Sequence, residues 1–223
     1  MSTQLHDATR RLVRTVDGLD DAAYAEPSLL PGWSRAHLVA HLALNAEALA
    51  AALHGVVAGQ PVPMYAGTEA RDADIEALSR ARPTVLRSRL YGAVTDLTEA
   101  LAALPDDRLD VLVERTPGSD RTFVAGDVAA MRLREVEIHH VDLATGYTAS
   151  DWPEAFAVLV VGQLGPRAGG ATLVATDVGR TWQGGPGTPT VSGTAAHLGW
   201  WLSGRGRGEG LTSDGVMPGI EAW

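Results

Sequence analysis

The chain has no cysteine among its 223 residues, which excludes disulfides, a thiolate nucleophile and any cysteine-ligated metal. It is short of positive charge: 18 Lys and Arg stand against 27 Asp and Glu, for a formal net charge of −9. No basic block and no interleaving of aromatic with basic residues is present, so nucleic acid is not an expected partner. Long hydrophobic runs are also missing. The stretch Val158 to Val161 is bounded by Gly162, and no apolar run reads as long enough to span a membrane. The N-terminal region carries His6, Asp7, Arg10, Arg11 and Arg14 with no apolar segment behind them, so a signal peptide is not expected. What remains is 45% apolar and 20% charged, an ordinary globular composition whose length allows one large domain or two modest ones. The missing cysteine says nothing of compartment; a soluble, cytoplasmic protein with no membrane partner is the default expectation.

Residues 2–20 read as a first helix, with an apolar stripe of Leu5, Ala8, Leu12, Val16 and Leu19, closed by Asp20, Asp21 and Pro27. Pro31-Gly32 marks a turn, and Ser34 is placed to N-cap a second helix over roughly 35–58. On that helix Leu38, His41, Leu42, Asn45 and Leu49 fall on one face, with His37 one turn above His41. After Pro61 and Pro63 a third helical region covers 68–103. Pro83 interrupts it as an N1 proline, followed by the stripe Leu86, Leu90, Val94, Leu97 and Leu101. Residues 108–124 read as an irregular excursion with a turn at Thr116 to Asp120. A fourth helix is expected over about 125–145, ending at Gly146 in the left-handed position after the helix. Four helices with short connections predict a four-helix bundle over residues 1–147.

Residues 148–223 have a different texture, and a small α+β domain is expected there. A helix opens at Asp151-Trp-Pro153 and runs to about Leu164, followed by the Gly-rich stretch 165–170. Strands are expected at Ala171 to Thr176 and Thr188 to Val191, separated by polar Arg180 to Gln183 and a Gly-Gly-Pro-Gly turn. Thr194 to Leu202 is a last helix, ending in the run Gly204-Arg-Gly-Arg-Gly208. The fold class is therefore mainly α, a bundle followed by a small α+β domain.

The chemistry concentrates in the fourth helix. Glu135, His139 and Asp142 stand at i, i+4 and i+7 and share one face, on the same stripe as Val128 and Met131. A carboxylate and an imidazole at i,i+4 have Cβ atoms about 5–6 Å apart and can address one ion. With His41 from the second helix they form a two-histidine, one-carboxylate set across a bundle core, where bundles place metals. Zinc, iron and manganese all suit such a set. The alternatives at this point are a buried core histidine at 41 beside a surface Glu135/His139 pair, or a His37/His41 pair. Glu137 and His140 lie about 100° away per residue, off the stripe. Asp142 is placed either to orient a ligand imidazole from behind or to end the helix as a solvated carboxylate. His6, His54 and His197 have no singular acidic partner and read as surface or cap residues. Arg205 and Arg207 follow the last helix. The stretch lacks the lysine and hydroxyl of a phosphate loop, so these arginines either bind a substrate carboxylate or form a flexible basic turn. Trp33, Trp200 and Trp201 read as core.

Three segments, in this order, carry a resemblance: Leu30-Pro-Gly-Trp-Ser-Arg-Ala-His-Leu-Val-Ala-His-Leu42, Arg134-Glu-Val-Glu-Ile-His-His-Val-Asp-Leu143 and Trp200-Trp-Leu-Ser-Gly-Arg205. The chain resembles the mycothiol-dependent maleylpyruvate isomerase family, whose bundle is similar to that of the DinB-like thiol-dependent transferases. The resemblance implies one zinc per chain on His41, Glu135 and His139, with Asp142 and Arg205 on catalytic positions. It further implies mycothiol as the thiol cofactor and a small anionic substrate, in a monomer or weak homodimer. In the family's founding reaction the zinc-activated thiol adds to the cis double bond of maleylpyruvate. Rotation and elimination then give fumarylpyruvate, in the breakdown of gentisate. A metal-bound thiol is deprotonated near neutral pH, so no protein cysteine is needed. The alternatives within this frame are a transferase joining the same thiol to another electrophile and a non-catalytic ligand-binding module. His140, directly after His139, departs from the family pattern.

Overall fold

The structure is a computed structural model and describes residues 2–221. The chain divides into two compact units, Met1–Thr145 and Gly146–Trp223.

The first unit is a helical bundle. α1 (Ser2–Gly18) and α2 (Arg35–Val57) are followed by a short α3 (Thr68–Ser79), then α4 (Pro83–Ala103) and α5 (Val128–Asp142). The single helical region expected over 68–103 is thus two helices, and Pro83 stands at the first turn of the second, where its missing N–H costs nothing. α2 packs against α4 and α1 against α5, with α3 and α5 also touching α2. Leu38, Leu42, Leu49 and Leu53 of α2 and Leu86, Leu90 and Leu97 of α4 are all buried, and Leu49, Leu53 and Leu97 share one core cluster. Each contributes about 1.5–3 kcal/mol by leaving water.

α2 is the core element. Its 23 residues are long and apolar enough to cross a membrane by length and composition, contrary to the reading of the sequence, and 72% of its apolar window is buried inside the bundle. Alanine explains the difference: at positions such as Ala40, Ala43, Ala46 and Ala50 it permits close helix packing without forming a conspicuous hydrophobic run. Ser34 N-caps α2 as expected, accepting from the His37 backbone N–H, an interaction worth about 1 kcal/mol.

Two further expectations are corrected. Residues 108–124 contain an antiparallel hairpin, β1 (Leu112–Glu114) and β2 (Thr122–Val124), in the register Leu112↔Val124, Val113↔Phe123 and Glu114↔Thr122. Its central Val113 is 1% exposed and joins the bundle core, which a three-residue strand is too short to signal by alternation. α5 ends at Asp142 rather than near residue 145, and the left-handed residue after its cap is Ala144 (φ 54°), with Gly146 (φ 95°) two residues beyond. Arg35 holds this end. Its Nε donates to the Leu143 carbonyl at 2.8 Å and its Nη2 to the Ala144 carbonyl at 2.9 Å, while Nη1 pairs with Glu26. The guanidinium satisfies orphan carbonyls of α5 and ties them to the first residue of α2.

The second unit is the small α+β fold. α6 (Glu154–Leu164) packs against α7 (Ala195–Leu202), and a four-stranded sheet has the order β4-β3-β5-β6. β3 (Thr172–Ala175) and β5 (Thr190–Gly193), both expected, run parallel. β4 (Arg180–Trp182) and β6 (Thr212–Ser213) pair antiparallel at the two sides, and the polarity and brevity of both strands hid them. α6 begins at Glu154 rather than at Asp151, because Thr148 and Asp151 cap a separate 3-10 turn over Ala149–Asp151. Gly165–Ala168 forms another 3-10 turn in place of an open loop. Gly199 of α7 lets Trp152 and Val160 approach closely: a Cβ there would lie 3.2 Å from each.

Candidate metal centre

His41, one and a half turns into α2, faces Glu135 and His139 one turn apart on α5. His41 Nε2 lies 2.9 Å from Glu135 Oε2, and His139 Nε2 lies 3.3 Å from the same oxygen. The two imidazoles meet edge to face with centroids 4.8 Å apart. One ligand atom from each of the three residues lies within 4.8 Å of the others. Donor atoms bound to one tetrahedral ion at about 2.0–2.1 Å lie roughly 3.3 Å apart, so the cluster fits an ion with little movement. The donor set, two nitrogens and a carboxylate oxygen, has the hardness that divalent zinc, iron or manganese accepts.

Asp142 is fully buried, and its Oδ2 is 2.9 Å from His139 Nδ1. A carboxylate accepts there, so Nδ1 carries a proton, and once Nε2 has released its own, that nitrogen's lone pair faces the cluster. Burial drives the His41 pKa down to about 4 despite the neighbouring Glu135, so this imidazole is neutral near pH 7, as a metal ligand must be. Burial also pushes His139 down, but its bonds to Asp142 and Glu135 outweigh that and leave its pKa raised. Burial alone would raise the Glu135 carboxyl; the hydrogen bonds from His139 and His41 prevail and hold it well below the usual carboxylate range. The cluster is therefore a fixed carboxylate flanked by one neutral and one protonatable imidazole.

The competing histidines point elsewhere. His37 Nδ1 is engaged with Ser34 and its Nε2 lies 3.2 Å from Glu76, which closes the His37/His41 alternative. On the opposite face of α5, His140 Nε2 is 2.8 Å from Thr15 Oγ1, and Glu137 takes a 2.6 Å bond from Arg11 Nη2. Both are buried against α1, so His140 is directed away from the cluster. His54 forms an exposed pair with Asp96. In the second unit Arg205 is 8% exposed and donates from Nη1 to the Ser203 carbonyl at 2.8 Å, while Arg207 is exposed. That burial does not match a flexible basic turn at Arg205.

Several neighbours escaped the reading of the sequence. Trp33, expected in the core, is half-buried and lies 5.7 Å from His41, ring centroid to centroid. Arg71 of α3 places Nη2 3.3 Å from His41 Nδ1. Arg132, 1% exposed, donates from Nη1 to Asn45 Oδ1 at 2.7 Å. Burial lowers its pKa to about 10, so it stays charged. Arg132 stands three residues before Glu135, a helical spacing that was available as a signal, while its partner Asn45 lies on the His41 face as expected. Arg71 had no such signal.

A buried two-histidine, one-carboxylate cluster in a helical bundle, followed by a small α+β unit, defines the DinB-like metal-binding class. The mycothiol maleylpyruvate isomerase N-terminal domain family matches residues 5–144. The chain belongs to the mycothiol-dependent maleylpyruvate isomerase family. A crystal structure of the mycothiol-dependent maleylpyruvate isomerase is similar to it at 33% identity and a TM-score of 0.88, over 100% of this chain and 95% of the other. A histidine-to-alanine mutant of that isomerase gives 32% identity and a TM-score of 0.88 over the same shares. No curated protein matches the chain.

Proposed function

We propose that the chain is a zinc- and mycothiol-dependent isomerase that converts maleylpyruvate to fumarylpyruvate in gentisate breakdown. The observation that carries this reading is the buried His41, Glu135 and His139 cluster in a chain that matches an isomerase along its whole length. Zinc bound there would lower the pKa of a thiol and place positive charge near the substrate's carboxylates. His41 contributes a neutral imidazole, Glu135 a carboxylate, and His139 an Nε2 aimed by Asp142. Three protein ligands are the number a catalytic zinc site uses, and an ion held by them would supply activation of the thiol. Arg205 is the proposed anchor for an anionic group of substrate or cofactor. A free low-molecular-weight thiol persists only in a reducing compartment, which supports the cytoplasm as the place of action.

Purified protein incubated with maleylpyruvate should form fumarylpyruvate only when mycothiol is present, and His41→Ala should lose both the activity and about one equivalent of zinc. A stable thiol conjugate with no isomerisation would replace this reading with a transferase. Arg205→Ala should raise KM more than it lowers kcat, as expected for an anchor used equally in ground and transition states. Unaltered kinetics would remove Arg205 from the site.

A further inference from the structure

Arg132 places a full positive charge in the core of the bundle. Its side chain reaches from α5 to α2, where Nη1 donates to Asn45 Oδ1 at 2.7 Å, and the residue is 1% exposed. Burial lowers its pKa to about 10, which still leaves it charged near neutral pH. A buried charge is costly unless an opposite charge meets it. Arg11 and Arg89 follow that rule, meeting Glu137 at 2.6 Å and Glu47 at 2.7 Å. Arg132 does not. Among the described residues no carboxylate lies within ion-pair distance of it, and its Nη2 is buried without a hydrogen-bond partner.

The metal cluster occupies the next layer of the same two helices. Arg132 precedes Glu135 by three residues and Asn45 follows His41 by four, so each pair shares a helix face about one 5.4 Å turn apart. His41 meets Glu135 and Asn45 meets Arg132, so the two contacts stack between antiparallel α2 and α5. Glu135 is the carboxylate whose charge acts on Arg132, yet its own hydrogen bonds go to the two histidines. Of the other charged groups around the cluster, Asp142 stands behind His139, and Arg71 lies against His41 Nδ1 with Asp72 as its ion-pair partner. Asn45 gives Arg132 a dipole and no counter-charge, so the field of the guanidinium reaches the cluster.

We infer that Arg132 sets the charge balance of the metal centre, loosening its hold on the cation and strengthening its hold on an anion at the metal's open position. This rests on the proposed metal site and not on the isomerisation. A dication, the Glu135 and Asp142 carboxylates and one thiolate sum to one negative charge, and Arg132 brings that buried set to neutrality. It stands one layer behind the ligands and acts through its charge.

Arg132→Gln removes the charge and keeps a donor for Asn45. It should bind zinc at least about tenfold more tightly in chelator competition at constant pH, because repulsion of the dication is relieved. Thiocyanate, titrated into the cobalt-substituted protein and followed in the visible spectrum, should bind about threefold more weakly, since a monoanion feels half the interaction of a dication. Opposite signs for cation and anion are not produced by simple damage to the site. Arg132→Lys keeps the charge and should stay within about twofold of the wild type in both assays. Zinc affinity unchanged or lowered in Arg132→Gln would overturn the inference and leave Arg132 a packing residue. If that variant does not fold, Asn45→Asp sets a carboxylate against the guanidinium and cancels its charge in place. It too should tighten zinc at least about tenfold, and an unchanged affinity would refute the inference. No zinc binding by the wild type would sink the metal centre itself, whereas equal binding by wild type and charge variants would leave the centre standing and remove Arg132 from it.

Discussion

Asp142→Asn preserves the volume of a side chain with no solvent exposure and removes its charge. The bond at stake is the 2.9 Å contact between Asp142 Oδ2 and His139 Nδ1. A charge-assisted bond is worth about 1.5–3 kcal/mol and a neutral one about 1 kcal/mol, so the exchange should cost roughly 0.5–2 kcal/mol. At about 1.4 kcal/mol per decade, that weakens metal binding by about 2- to 30-fold, overlapping the roughly 10–100-fold found when residues behind metal ligands are changed. Asparagine can still accept the Nδ1 proton through its amide oxygen, which keeps Nε2 free for the ion. Asp142→Ala cannot, and the ring then has no fixed orientation. The order of zinc affinity should be wild type, Asp142→Asn, Asp142→Ala, with His41→Ala below all of them. Competition against a chromophoric chelator at constant pH measures it. Equal affinity in the wild type and both Asp142 variants, with His41→Ala impaired, would show that Asp142 does not orient the ligand.

The histidine pKa values set a pH dependence. In the metal-free protein His139 holds its proton to a pH above the usual 6.5 and must release it to bind an ion, whereas His41, at about 4, is already neutral. Zinc affinity should therefore rise about tenfold per pH unit up to the His139 pKa and then level off. Titrations in buffers of different ionisation enthalpy should detect about one proton released per zinc at pH 6.5, and no release would refute it. The sign for folding is the reverse: stability from the raised His139 pKa is complete below pH 6.5 and is lost as pH rises through the folded value, so the metal-free protein should lose stability across that window. Separately, Ala144 occupies a left-handed conformation at φ 54°. Ala144→Gly should stabilise the protein by up to about 1 kcal/mol in urea unfolding, since glycine adopts that conformation without penalty. A loss of stability would mean that the Arg35 clamp at this position has been misjudged.

Much of the bundle was readable because its helices announce themselves by period and punctuation. Ser34 before α2 and Pro83 at the start of α4 both act as boundaries, and Leu5, Leu12, Leu86 and Leu90 all lie in the core. The cluster was readable in part for the same reason. Glu135 and His139 share a helical face by spacing alone, but nothing local joins His41 to them; that contact spans 94 residues and depends on how α2 packs against α5. The residues that were missed depend on tertiary placement. Arg71 reaches His41 from α3, which has no periodic tie to it. The end of α5 was misread because glycine is the usual left-handed residue, and at Ala144 the carbonyl bonds to Arg35 stand in for that preference.

The same separation gives the cluster a mechanical role. An ion gripped by both His41 and Glu135 closes a loop of 94 residues in a chain that has no disulfide to do so. In the chain-entropy account a permanent link around a loop of that size removes unfolded-state freedom worth about 4–5 kcal/mol, which a tightly held ion approaches while it stays bound. Loss of the ion to a chelator would loosen a protein that stays assembled by packing alone.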